Sequence, residues 1–242
     1  MERERADGVR LNKYLSEAGV CSRREADRYV EAGRITVDGQ PASMGQKIMP
    51  GQRVCLDGKP VKEAGKTEDR RILIAVNKPK GIVCTTSKKE KDNIIDFLDY
   101  PERIYPVGRL DKDSEGLLLL TNDGELMNEI LKARNYHEKE YEVKVNRPVT
   151  NTFLKKMSSG VPILDTVTRP CQVERTGEKS FRIVLTQGLN RQIRRMCESL
   201  DYRVTDLKRT RIMNIRLGRL AVGSWRNVTG KELNELLKLT GR

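Results

Sequence analysis

Residues 63 to 71, Glu-Ala-Gly-Lys-Thr-Glu-Asp-Arg-Arg, contain no large apolar side chain. A stretch of this kind has nothing to bury and reads as a solvated linker. It divides the chain into a short module, residues 1 to 62, and a larger one, residues 72 to 242. Each must then build its own core, and 242 residues leave room for both. Neither half contains an internal repeat or a low-complexity tract.

Charge narrows the range of partners. Lys and Arg number 47 against 34 Asp and Glu, a formal net charge of +13. A field of that sign attracts phosphate backbones and releases their counterions. No apolar run approaches the ~18 residues of a membrane helix; Leu117 to Leu120 is strand-sized. The charged start, Met-Glu-Arg-Glu-Arg, lacks the apolar region of a secretory signal. Cys21, Cys55, Cys84, Cys171 and Cys197 stand alone, without the two-residue spacing of a zinc knuckle or redox pair. Unpaired thiols suit the cytoplasm. His137 is the only histidine, which argues against a His-based triad or zinc centre. The expectation is a nucleic-acid-binding protein with no metal and no cofactor.

The short module begins with a helix. Leu11, Leu15 and Ala18 share one face, and Gly19 ends it. Ser22-Arg23-Arg24-Glu25 is a capping box that opens a second helix. Ala26, Tyr29 and Val30 point inward, which sends Arg23, Arg24 and Arg28 outward. Ile35 and Val37 alternate into a strand, and Asp38-Gly39 and Asp57-Gly58 are tight-turn signals.

The larger module is rich in strands. Ile72 to Val76 forms one, the turn Lys78-Pro79-Lys80-Gly81 follows, and residues 82 to 86 are expected to resume a strand before a charged loop at 88 to 93. Tyr141, Val143 and Val145 alternate, as do Phe181, Ile183 and Leu185. Helices are expected near 124–134, 151–158, 190–200 and 230–239, the last opened by a capping box at Thr229 to Glu232. The fold class is therefore α+β, with a mixed, largely antiparallel sheet in the second module.

The segment Gly108-Arg109-Leu110-Asp111-Lys112-Asp113-Ser114-Glu115-Gly116, followed by four leucines, places a carboxylate in a polar loop against a rigid strand. That arrangement can aim a functional group. Taken alone, an Arg-x-Asp pair in a turn is more often structural. Residues 191 to 219 gather nine Lys or Arg against three acidic residues, a candidate phosphate track.

Two resemblances sharpen this reading. Arg10-Leu11-Asn12-Lys13-Tyr14-Leu15, Ser22 to Ala26 and Gly33 to Gly39 resemble the small S-four-like RNA-binding domain, over about residues 8 to 60. Gly108 to Leu120, with Lys78-Pro79-Lys80-Gly81, Glu138 to Tyr141 and Gln187 to Met196, resembles the signature set of ribosomal pseudouridine synthases of the small-subunit branch. The resemblance implies that Asp111 is the catalytic carboxylate, that Tyr141 stacks on the target base, and that Arg194 forms an ion pair with Asp111. It also implies a substrate in ribosomal RNA. His137 to Tyr141 and Arg209 to Asn214 resemble the members that act on the large subunit.

A guanidinium fork can hold a carboxylate by two hydrogen bonds and keep it ionised in a dry site. RNA contacts are expected from Arg10, Lys13, Arg23, Arg24 and Arg28 in the first module. In the second they are expected from Arg109, Asn190, Arg191, Gln192 and Arg195, with Arg191 and Arg195 directed away from Asp111 toward phosphate. Plain structural roles compete at two positions: Tyr141 as a core strand residue, and Arg109 as a salt-bridge partner of Asp113 or Glu115. The expected assembly is a monomer in the cytoplasm. A non-catalytic RNA-binding assembly protein and a basic DNA-binding protein are the rival readings. The first predicts that Asp111 is dispensable. The second lacks a helix-turn-helix pattern.

Overall fold

The computed structural model describes residues 8–62, 71–87 and 89–242. The chain divides into two compact units, residues 1–71 and 72–242. The stretch expected as a linker lies outside the described residues except for Arg71.

In the first unit, α1 (Leu11–Glu17) and α2 (Arg23–Glu31) pack on β1 (Ile35–Val37) and β2 (Val54–Leu56). The capping box at Ser22 is formed in both directions: the Ser22 hydroxyl accepts from Glu25 N, and the Glu25 carboxylate accepts from Ser22 N. Asp38 and Gly39 both adopt positive φ, as do Asp57 and Gly58, which is the geometry of a two-residue hairpin turn. Leu11, Leu15, Ala26, Ile35, Val37 and Val54 form the core. Arg10, Arg23, Arg24 and Arg28 are exposed, while Lys13 is half-buried and lies 3.8 Å from the Glu17 carboxylate.

The second unit is built on one sheet, nine-stranded among the described residues. Its strands are β3 (Leu73–Lys78), β4 (Glu115–Thr121), β5 (Lys139–Val145), β6 (Gln172–Gly177), β7 (Ser180–Leu185), β8 (Val204–Ile212) and β9 (Trp225–Asn227), in spatial order β6-β7-β5-β8-β4-β3-β9. Tyr105–Val107 and Ile215–Arg216 add short strands beside β4 and β8. Every pairing is antiparallel except the one joining β4 to β8, which is parallel and spans only Glu115 with Lys208 and Gly116 with Arg209.

The parallel contact is a seam between two halves. On one side, Val143, Phe181, Ile183 and Leu185 pack with α5 (Asn151–Ser159) and α6 (Gln192–Glu198) around Phe153 and Met196. On the other, Leu117 and Leu119 face Leu126 and Ile130 of α4 (Gly124–Leu131) and Leu236 of α7 (Gly230–Leu239). Leu118 and Leu120 point to the opposite face of the sheet, against Ile74, Val76 and Ile94.

Three expectations are corrected. Residues 82 to 86 form no strand: Val83 makes only an isolated bridge to Asn93, and Thr85 N turns back to the Val83 carbonyl. A helix, α3 (Ile94–Leu98), follows where none was expected, capped by Asn93, whose side chain accepts from Ile95 N and Asp96 N. Thr229 makes no side-chain cap, and the Glu232 carboxylate that a capping box would turn back to Thr229 N is held instead by Arg226 through two contacts of 2.6 and 2.8 Å.

Candidate active site

The site forms where the seam meets the loop between residues 108 and 115. Lys78, Gly116 and Arg209 lie on one rung across β3, β4 and β8. Gly116 has φ +114, and a Cβ built there would sit 2.4 Å from the Arg209 carbonyl oxygen and 2.6 Å from its nitrogen. Only glycine admits this approach of backbone to backbone.

The loop is anchored along its length. Leu110 N donates to Cys84 Sγ at 3.3 Å, Gly81 N to the Lys112 carbonyl at 2.7 Å, and Ser114 N to the Asp111 carbonyl at 3.1 Å. The turn Lys78–Gly81 therefore braces the carboxylate loop. Burial pushes the Cys84 thiol up, so it stays a neutral acceptor.

Asp111 is about one-third exposed. Arg191 Nη1 lies 3.4 Å from Asp111 Oδ2, and Arg194 Nε lies 3.6 Å from the same oxygen. Arg194 is buried, and it also reaches Asp113 at 3.2 Å and the Ser114 hydroxyl at 3.2 Å through Nη2. The expected two-pronged grip on Asp111 is thus replaced by a bridge. The guanidinium is divided between Asp111 and Asp113 because the turn offers Asp113 and Ser114 as acceptors to its outer nitrogen. Arg194 Nε is left buried with no hydrogen bond of its own.

Arg191 corrects a second expectation. It does not point away from Asp111; it lies within 3.6 Å of both Asp111 and Asp113. The cause is its backbone: Arg191 adopts a left-handed conformation, φ +49 and ψ 35, at the entry to α6. A strained non-glycine residue at such a point re-aims a side chain. Gln192, expected on RNA, is buried; its Oε1 accepts from Leu189 N and its amide faces Met196 Sδ. It shapes the loop that carries Arg191. Arg195 donates to the Asn190 carbonyl and side-chain oxygen, so these two hold one another on the outer face. Arg109 is exposed and forms no ion pair among the described residues. Lys208 takes Glu115 at 3.1 Å, and Arg194 takes Asp113.

Tyr141 is half-buried on β5 and packs against the cores of both halves. A β-bulge lies beside it: Glu140 pairs with Arg211 and Tyr141 with Arg209, leaving Thr210 as the extra residue. The Thr210 hydroxyl fills the gap by donating to Glu140 at 2.9 Å. Bulges re-aim side chains next to active sites.

Three cations were not anticipated as site residues. Lys78 is fully buried, and its ammonium donates to the Pro79 carbonyl at 2.6 Å. Burial lowers its pKa, while the nearby Asp113 and Asp111 carboxylates partly restore it. Lys139, two residues before Tyr141 on the same face of β5, is held down to about 8 by burial and by Arg209. Arg209 is itself buried. The sequence signal for Arg209 was its place two residues after Leu207, in the inward phase of a strand. Among the described residues, no group of His, Cys, Asp and Glu could hold a metal ion, and no helix is long and apolar enough to cross a membrane.

The carboxylate on its braced loop, the two guanidiniums beside it and the tyrosine on the bulged strand all fall within one stretch, residues 72–199. The family model described as RNA pseudouridylate synthase matches residues 72–199. The chain belongs to this family. The S4 domain model matches residues 9–53, as the first unit's helices and turns suggested. The synthase is 54% identical over 231 residues to the dual-specificity RNA pseudouridine synthase RluF of Escherichia coli strain K12, covering 96% of this chain and 79% of that protein. It is 38% identical to an uncharacterized RNA pseudouridine synthase of Aquifex aeolicus strain VF5, covering 96% and 95% of the two chains. A crystal structure of pseudouridylate synthase superposes with a TM-score of 0.68 at 26% identity, covering 96% of this chain and 99% of that one. The protein is an enzyme that acts on RNA, and the rival readings of an inert back module and of a DNA-binding protein are set aside.

Proposed function

We propose that this synthase isomerises uridine to pseudouridine in large-subunit ribosomal RNA, with Asp111 as the catalytic carboxylate. The observation that carries the assignment is the position of Asp111: part-exposed on a braced loop, with Arg191 and Arg194 within 3.6 Å of one of its oxygens. Two guanidiniums favour the ionised carboxylate, the form needed to act as nucleophile or base on the nucleoside.

The bond from ribose C1′ to uracil N1 breaks, the base turns, and C1′ bonds to C5. The C5 proton leaves and N1 regains one, so atoms and electrons balance without an oxidant or an energy source. The target base must first leave its stack, at a cost of a few kcal/mol. An aromatic platform offsets about 1–3 kcal/mol of that, and in this reading Tyr141 supplies it. Arg109, exposed and without an ionic partner among the described residues, is free to meet phosphate or fill the vacated stack.

Residues 1–62 form the S4 module in this reading, 63–71 its tether and 72–242 the catalytic domain. Arg10, Lys13, Arg23, Arg24 and Arg28 bind RNA from the first. Asn190, Arg191 and Arg195 border the site in the second. The site is assembled within one chain, which supports a monomer acting in the cytoplasm, where ribosomal RNA is found; sedimentation of the purified protein checks the first point. The large-subunit assignment draws on the His137–Tyr141 and Arg209–Asn214 segments.

The test is pseudouridine mapping of RNA from cells with and without the gene. Because the E. coli relative is named a dual-specificity enzyme, mapping should cover all cellular RNA. Sites that disappear must return with the wild-type protein and not with Asp111→Asn. The purified variant should bind substrate RNA within about tenfold of wild type, or ~1.4 kcal/mol. Turnover by Asp111→Asn removes Asp111 from the mechanism; unchanged large-subunit RNA removes the substrate.

A further inference from the structure

Arg209 lies under the catalytic loop and is 3% exposed. A buried guanidinium without a carboxylate is costly, and Arg209 has no ion pair among the described residues. Its neighbours add to the cost. Its charge opposes protonation of both Lys78 and Lys139. One of its nitrogens, Nη2, is buried with no hydrogen-bond partner. An apolar side chain of similar length would avoid all three penalties. A residue that spends stability in this way points to a role in function.

Its two hydrogen bonds show what the role is. Nε donates to the Leu117 carbonyl at 2.7 Å, and Nη1 reaches the Arg109 carbonyl at 3.4 Å. Those carbonyls flank the segment that carries Asp111, Asp113 and Ser114. The Arg209 backbone meanwhile abuts Gly116, so the same residue grips the loop by main chain and by side chain. No other side chain among the described residues ties both ends of this loop. A lysine could reach one carbonyl and not both, because only the planar fork spreads its donors.

We infer that Arg209 is a positioning residue for the isomerisation, clamping the two ends of the Asp111 loop so that the carboxylate meets the extruded nucleoside in register. The inference rests on the assignment of Asp111 as the catalytic carboxylate. Arg209 touches neither substrate nor the reacting atoms; it acts through the loop backbone. Misplacement of a reacting group by about 1 Å lowers rates by about 100-fold, and that is the effect expected here.

The experiment compares the full-length wild type with Arg209→Met, Arg209→Lys, Arg209→Ala and Asp111→Asn, using an RNA fragment that the wild type modifies. Single-turnover rate at saturating RNA, RNA affinity and thermal midpoint are measured for each. Arg209→Met should lose about 100-fold in rate, bind RNA within about threefold, and melt no lower than wild type. Arg209→Lys should fall between the two in rate. Arg209→Ala should regain rate when methylguanidinium is added, with wild type unaffected by the same additive. A wild-type rate in folded Arg209→Met overturns the clamp. So does a rate loss that follows only from a lowered midpoint, or an Arg209→Met that fails to fold together with an Arg209→Ala that added guanidinium does not restore. In those cases Arg209 serves the fold alone. If Asp111→Asn turns over, the underlying assignment fails, whatever the Arg209 variants do.

Discussion

Substituting Gly116 by alanine isolates the close approach of backbone to backbone at the seam. Two penalties add. The first is conformational: an L-residue at φ +114 is strained by about 1–3 kcal/mol. The second is steric. The new Cβ would lie 2.4 and 2.6 Å from the Arg209 oxygen and nitrogen, against about 3.5–4.0 Å for a comfortable contact between heavy atoms. Neither partner atom belongs to a side chain that can swing away, so β8 must retreat from β4 by about 1 Å. That retreat stretches the 2.7 Å bond from Arg209 to Leu117, worth about 1 kcal/mol. The total is about 2–4 kcal/mol, large for one methyl group. At about 2–4 °C per kcal/mol for a unit of this size, the midpoint should fall by about 10 °C. Circular dichroism melting checks this. Single-turnover rate below the transition should fall by about 100-fold, since the loop moves with the strand. Gly81→Ala is the control: it has φ +90 with nothing within 4 Å of a built Cβ, so it carries the first penalty without the second. If the two variants melt alike and Gly116→Ala keeps the wild-type rate, the close approach does not hold the loop.

Two further outcomes follow from the cations around the site. Lys139 has a folded pKa of about 8, below its ordinary 10.5, so the folded state disfavours its charged form. The penalty is full below pH 8 and fades as pH rises from 8 toward 10.5. Lys139→Met should therefore be more stable than wild type at pH 7, by at most roughly 3 kcal/mol, with the advantage shrinking in denaturation curves above pH 8. An advantage independent of pH would refute the electrostatic origin. Arg194→Lys should lower the single-turnover rate by about 100- to 1000-fold, as loss of a preorganised donor does. Arg191→Gln should lower it less and should weaken RNA binding, with the salt slope reduced by about 0.7. Equal effects of the two substitutions on rate and affinity would show that burial does not separate their roles.

Much of the architecture was legible because it is local. The capping box at Ser22, the Asp-Gly turns and the alternation on β5 and β7 are short-range patterns, and each appears where its residues place it. The Asp111 loop was legible as a motif, and Arg194 does come to Asp111. What stayed hidden depends on contacts between distant segments. Nothing in residues 82 to 86 announces that Cys84 will turn to accept from Leu110 N and break the strand. Arg191 and Arg194 are three residues apart, a spacing that would set them on one helix face, so periodicity gave no ground for directing Arg191 away from Asp111. The left-handed backbone at Arg191 brings both guanidiniums to the same carboxylates. Gln192 looked like an RNA contact beside basic neighbours, yet its amide is consumed inside the loop. Arg209 read as one basic residue in a track, although its phase, two residues after Leu207, is the inward one.

The parallel seam also orders events in time. Strands β5 and β7, and β3 and β4, pair antiparallel within their own halves of the sheet. The seam instead joins Leu117 to Arg209, 92 residues away in the chain. Closing a loop of that length loses more entropy than the nearer pairings, and distant contacts form slowly. Asp111 stands on one side of the seam, and Arg191, Arg194 and Tyr141 stand on the other. A chain with the seam unzipped would hold Asp111 apart from both guanidiniums and from Tyr141. Assembly of the proposed site is thereby tied to closure of this long-range contact rather than to the nearer pairings.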